Sequence, residues 1–210
     1  MNNNDTYIEK YLSQTTQITG MIDHKAVEKM VNIIDQIRQG SGRLFFIGVG
    51  GGAGHASHAV NDFRKIAGIE SYCPTDNVSE LTARINDDGW DSSFANWLKG
   101  SRINSKDGVF VFSVGGGNAE KNISNNLVLA LKCAKEVGAK IMGVVGRDGG
   151  YTARVGDAVV IIPTVDQETV TPHTESFQAV LWHLIVSHPK FQSQKGKWES
   201  VQSEKKAHAS

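Results

Sequence analysis

Two hydrophobic patterns alternate along this chain. From residue 5 to 39 the apolar positions recur at helical spacing: in HKAVEKMVNIIDQIRQG, Val27, Met30, Val31, Ile34 and Ile37 share a face and Gly40 supplies a stop. Two amphipathic helices are expected there. RLFFIGVG is then apolar without a break, as in a strand buried on both faces of a parallel sheet. It dissolves into glycines, and HASHAVNDFRKIAG returns to helical spacing as far as Gly68. The cycle repeats: DGVFVFSVGGG reads as a strand entering a second glycine cluster, NAEKNISNNLVLALKCAKEVGA as a helix, and KIMGVVGRDGG as a strand and turn. DAVVIIPT is a further strand, and TPHTESFQAVLWHLIVSHP a closing helix stopped at Pro189. This alternation predicts a doubly wound α/β sheet, with both strand–glycine–helix turns at the carboxyl ends of the strands. The expected division is a helical segment over 1–40, a core domain over 41–190 and a polar tail over 191–210.

At 210 residues one domain can bury a core without staples. The 22 Lys and Arg balance the 22 Asp and Glu, which argues against nucleic acid or a membrane surface as partner. Cys73 and Cys133 fit no metal-binding or redox spacing and read as ordinary thiols in a reducing compartment. MNNNDTYIEKYLSQ lacks the basic start and apolar core of a secretory leader, and no run approaches the ~18 apolar residues of a membrane span. A soluble, cytoplasmic protein is expected.

Three places carry candidate chemistry. GVGGGAGHAS, Gly48 to Ser57, lets backbone N–H groups face an anion at a helix start, but lacks the GK[ST] of a nucleotide P-loop and a convincing dinucleotide fingerprint. SVGGGNAEKN, from Ser113, is a second such turn, and two on one sheet favour a small phosphorylated ligand. His58 and Asp62, four apart on one helix face, can meet on one metal ion or one substrate, or can simply be solvated; His55 is an extra candidate that reads as solvent-facing. Glu175 and His183 stand in the apolar closing helix, where a buried ionisable group needs a partner. A core hydrogen bond for His183 and a helix-dipole role for Glu175 are the plainer alternatives.

Together these segments resemble the sugar isomerase (SIS) domain family, and within it the phosphoheptose isomerases, over roughly residues 5 to 190. The family's GNGGS loop and HxxxE pair correspond to GVGGGAGHAS with His58 and Asp62. Its GND segment corresponds to Ile85, Asn86 and Asp87 after TDNVSELT, its STSGNS loop to Ser113–Asn118, and its QExxxxxxH helix to Glu175–His183; the RDGG turn at Arg147–Gly150 also looks familial. The resemblance implies a mainly parallel five-stranded α/β sheet flanked by helices, with N-terminal helices for oligomer packing in a cytoplasmic homotetramer. It implies isomerisation of sedoheptulose 7-phosphate to a heptose 7-phosphate on the way to surface glycans such as lipopolysaccharide. It places a zinc or other divalent metal on His58, Asp62, Glu175 and His183, with acid and base on Asp62 and His183. Sugar-phosphate contacts fall on Gly50, Gly51, Asn86, Asp87, Ser113, Gly115, Asn118 and Glu175. A non-catalytic SIS module, acting as sugar-phosphate sensor or protein adaptor, is the alternative.

The chain departs from the pattern. Val49 replaces the first loop's Asn and Gly52 its Ser, while Val114 and Gly115 replace the second loop's Thr and Ser. Each lost bond to phosphate is worth ~1.5–3 kcal/mol, leaving Ser113, the glycine N–H groups and Lys121 to compensate. Glu175 and His183 are also separated by ~12 Å of rise in a continuous helix, too far for one ion. Either the helix bends or starts later, or the two serve sites shared between subunits.

Overall fold

A computed structural model describes residues 3–191. The N-terminal helices form as expected, α1 over Asn3–Met21 and α2 over His24–Gln39. Asp23 starts α2, its carboxylate accepting from the N–H groups of Lys25 and Ala26. The chain continues through β1 (Leu44–Gly48), α3 (Gly51–Lys65), β2 (Ser71–Tyr72), α4 (Val78–Asp88), α5 (Trp90–Gly100) and β3 (Gly108–Ser113). It ends with α6 (Asn125–Glu136), β4 (Lys140–Val145), α7 (Gly150–Val155), β5 (Ala158–Ile161) and α8 (Val170–Val186). All five strands are parallel, in the order β2-β1-β3-β4-β5. The order reverses between β1 and β3, so both glycine turns leave the sheet at its switch point, where open α/β sheets bind ligands.

Side-chain alternation sends Leu44, Phe46, Phe110, Phe112, Met142, Val144 and Val160 to the face covered by α2, α3 and α8. Phe45, Ile47, Val109, Val111, Ile141 and Val145 meet α5 and α6 on the other face. Burial on both faces explains why these strands read as unbroken apolar runs. Among the described residues no helix is long and apolar enough to cross a membrane.

Several boundaries differ from the sequence reading. α3 begins inside the glycines, at Gly51. α6 begins seven residues later than its pattern suggests, because Asn118 and Ile123 pair as an antiparallel bridge and the Asn118 side chain accepts from the N–H groups of Glu120 and Lys121. α4 and α5 fill a stretch to which the pattern assigned no element: α4 fully buries no residue, and Gly89, at φ 83°, separates the two. Cys73 and Cys133 are free and buried, and burial pushes the Cys73 thiol up to about 11. Phe191, placed at the head of a polar tail, is buried in the core; the remainder of that tail, 192–210, lies outside the described residues.

α1 is tied to the start of α8 by a polar cluster that no local pattern announces. Gln14 Nε2 donates to Asp166, which also pairs with Lys10 Nζ at 2.6 Å. Gln14 Oε1 therefore faces the other way, accepting from the Thr169 hydroxyl and from His173 Nε2 at 2.9 Å, while Tyr11 stacks on the imidazole at 4.2 Å. His173 is thus a buried neutral donor whose Nδ1 has no partner, and burial lowers its pKa. The Lys10 hydrogen bond holds Asp166 down to about 2, so that carboxylate stays charged well below the imidazole's range. A folded state with a depressed His pKa binds fewer protons than the unfolded chain, so its contribution is full above about 6.5 and is lost as pH falls. The melting temperature should therefore drop between pH 7 and 5. His173→Gln should flatten that slope; an unchanged slope in the variant would refute the assignment.

Candidate active site

α3 and α8 pack side by side on one face of the sheet and run in the same direction. Gly51 meets Glu175, His55 meets Gln178, and Asp62 meets Trp182 and His183. Asp62, 7% exposed, is the buried member of the last set. Its Oδ2 accepts from the Trp182 indole N–H at 3.1 Å and its Oδ1 from the Asn61 amide at 3.0 Å. Two imidazoles flank the same Oδ2: His58 Nε2 at 3.6 Å and His183 Nε2 at 3.4 Å. His183 Nδ1 lies 2.9 Å from the Ala179 carbonyl, which can only accept. Nδ1 therefore bears a ring proton, so in the neutral ring the Nε2 lone pair faces the carboxylate.

These three ligand atoms lie within 4.8 Å of one another. Three ligands on one tetrahedral ion at ~2.0–2.1 Å would stand ~3.3 Å apart, close to the two separations to Asp62. Two imidazoles and a carboxylate are donors that suit zinc, and both rings remain half-exposed, leaving an open side. The Trp182, Asn61 and Ala179 contacts supply the outer hydrogen bonds that orient such ligands. The residues present fit a divalent metal.

Glu175 does not join them. α8 is continuous through both Glu175 and His183, so the helical rise carries its carboxylate to the opposite end of the seam. There it lies against Gly51 in the first turn of α3; a Cβ on that glycine would come within 2.6 Å of Oε1 and 2.8 Å of Oε2. The anion-friendly start of α3 thus holds the protein's own carboxylate. Gly50, its N-cap, and Gly51 are exposed. His55, expected to face solvent, is half-buried, its Nδ1 2.9 Å from Gln178 Oε1. Sequence reasoning passed over Asn61, Trp182 and Gln178, which orient the charged groups.

The second glycine turn borders a cleft of about 560 Å³, lined by Gly115, Gly117, Asn118, Lys121, Arg147 and Thr171 among others. Its floor is stapled backbone to backbone. Tyr151 and Thr152 donate through their N–H groups to the carbonyls of Gly117 and Gly116, and the Thr152 hydroxyl adds a bond to the latter. Gly116 has φ 67°, and a Cβ there would sit 2.0 Å from the Gly149 carbonyl oxygen. Ser113, expected to touch ligand, uses its hydroxyl to accept from the Gly116 N–H. Asn86 and Asp87 lie on the exposed side of α4, hydrogen-bonded to each other, and do not line this cleft.

No family model matches the chain. It is 28% identical over 192 residues to the lincomycin biosynthesis protein LmbN of Streptomyces lincolnensis, covering 86% of this chain and 68% of that protein. It is 25% identical over 164 residues to the phosphoheptose isomerase of Helicobacter pylori strain P12, covering 76% of this chain and 80% of that one. The structure of phosphoheptose isomerase GmhA from Neisseria gonorrhoeae superposes with a TM-score of 0.76 at 20% identity, over 88% of this chain and 98% of that one. This chain folds as a SIS domain and resembles phosphoheptose isomerase.

Within this fold the cleft and the imidazole cluster stand apart. Thr171, at the cleft, and His183 are separated by twelve residues of α8, ~18 Å of rise. Gly116→Ala should destabilise the domain by ~2 kcal/mol or more, read as a lower urea midpoint, because it combines a positive φ with a backbone clash. A midpoint within error of the parent would show that the two turns are not locked together.

Proposed function

We propose that this SIS domain is a metal-assisted phosphosugar aldose–ketose isomerase, with sedoheptulose 7-phosphate to heptose 7-phosphate as the leading reaction. The sequence likeness to phosphoheptose isomerases supports an isomerase. The observation that carries the metal-assisted reading is the cluster of His58 Nε2, Asp62 Oδ2 and His183 Nε2. These atoms would hold the ion, zinc first among divalent metals, whose chemistry when bound is Lewis-acid polarisation of the sugar carbonyl. Trp182 and Asn61 keep the Asp62 carboxylate turned toward the two rings, and Ala179 keeps the His183 lone pair turned inward. Asp62 and His183, the acid/base pair implied by resemblance, are thereby assigned first to holding the ion.

The phosphate belongs in the cleft, where Lys121 and Arg147 supply charge in place of the missing hydroxyls. Asp148, on the same rim, selects against a second negative group. An extended heptose phosphate spans ~10 Å at ~1.5 Å per C–C bond, less than the ~18 Å of α8 between Thr171 on the cleft rim and His183. A complete site therefore takes its phosphate end from one copy of the chain and its imidazole cluster from another, which favours a homo-oligomer, a tetramer by resemblance.

The decisive experiment incubates the purified protein and zinc with a panel of ketose phosphates and follows aldose formation by NMR. Sedoheptulose 7-phosphate should yield aldose; no turnover of any panel member would sink the proposal. Lys121→Ala should raise KM ~10-fold or more with little change in kcat. Metal analysis should give one ion per chain, lost in Asp62→Asn and His58→Ala but kept in Glu175→Gln. Loss of metal in the glutamate variant would contradict the three-residue site.

A further inference from the structure

We infer that His55 carries the transferred proton in this isomerisation, and that Gln178 is the positioning residue that aims it. The inference rests on reading the chain as an aldose–ketose isomerase. Gln178 is fully buried, and its Nε2 donates to the Val144 carbonyl of β4 at 3.1 Å. A carbonyl can only accept, so the amide has one orientation and its Oε1 faces His55. His55 Nδ1, 2.9 Å away, must then bear the ring proton. That leaves Nε2 with a lone pair, and it has no hydrogen-bond partner among the described residues.

The ring is also held in place by packing. Its centroid lies 5.0 Å from that of Trp182, and Phe112 meets it edge-on at 6.1 Å. His58 packs against the same indole at 5.3 Å. The two histidines are three apart on α3, so their Cβ atoms are ~5–6 Å apart and His55 sits beside the cluster. It is not one of the three groups whose ligand atoms converge. When those three are engaged, Nε2 of His55 is the imidazole nitrogen of the seam still able to take a proton. Gly51, Gly54, Ser57 and His58 around it are exposed, so a bound sugar can reach it.

The chemistry balances without any added reactant. A proton leaves C1 of the ketose for Nε2, and the C–H electron pair becomes the enediol double bond while the C=O π pair moves onto the C2 oxygen, which takes a proton from solvent water. In the return step the C1 hydroxyl gives its proton back to solvent water as C1 becomes the aldehyde. The double-bond pair takes the Nε2 proton at C2, and the aldose leaves.

The test uses the zinc-loaded full chain and sedoheptulose 7-phosphate in deuterated water. The wild type should convert the sugar and incorporate solvent deuterium at C2. His55→Gln should lose both turnover and incorporation by ~10²-fold or more while keeping its metal content and melting temperature. His55→Ala should lose them similarly and recover part of its rate on addition of imidazole, which a merely structural role would not do. Gln178→Leu should lower kcat more than it raises KM and leave the metal content unchanged. If the wild type turns over and both His55 variants stay within ~3-fold of it, or imidazole restores nothing to His55→Ala, the role of His55 is overturned and the isomerase reading stands. If the wild type turns over no ketose phosphate, both fall.

Discussion

A carboxylate withdrawn from water must be compensated from all sides, and that requirement organises this molecule around Asp62. Its partners come from two helices: Asn61 and His58 from α3, and Trp182 and His183 from α8. The four contacts are compatible only if the helices lie alongside each other in one register and on one face of the sheet. The indole that donates to Asp62 is wedged against Phe112, itself packed against Phe46 of the neighbouring strand β1 and Phe110 of its own strand, and Phe63 closes the group from α3. The hydrophobic core thus aims a single N–H at a single oxygen. Apolar packing and site geometry are here one constraint.

The same register decides how the two glycine turns are used. With α3 and α8 parallel, the turn of α8 that carries Glu175 falls over the first turn of α3, and only a glycine at position 51 leaves room for its carboxylate. That helix start is already neutralised by the protein. The second turn meets no such carboxylate from α8; it is locked instead to the Arg147–Gly150 turn, which brings a guanidinium to its rim. Two loops that look alike in sequence are therefore unlike in charge.

Much of this was legible from residue types alone. β1, β3, β4 and β5 announce themselves because strands largely buried on both faces are apolar at nearly every position, and α8 does so by its length. His58, Asp62 and His183 stood out as ionisable residues with plainer alternatives, and only the family resemblance put them together on one metal ion. The separation of Glu175 from His183 followed from helical rise, although which of the two would leave the cluster did not. What stayed hidden was set by distant partners. Gln14 is an ordinary amide in the sequence; its meaning comes from His173, 159 residues away. Gln178 acquires its meaning from Val144 and His55 in the same manner. α4 was missed although Val78, Leu81 and Ile85 recur at helical spacing; the face they form is only partly buried, and charged residues crowd the rest of so short a helix.

The exposure of the cluster carries one last consequence. Proton transfer through an enediol is protected when water is excluded, yet the rings of His58 and His183 are each about half open in a single chain. The surface around them is not one that water stabilises: Val180 and Leu184, flanking His183 on α8, are 53% and 46% exposed. Covering that face would dry the imidazoles and bury apolar area in the same event. A second copy placed there, with its cleft toward the cluster, would also bring a cleft nearer to the imidazoles than the ~18 Å of α8 that separates Thr171 from His183 within one chain. Dryness, apolar burial and reach all favour a site completed between copies of the chain.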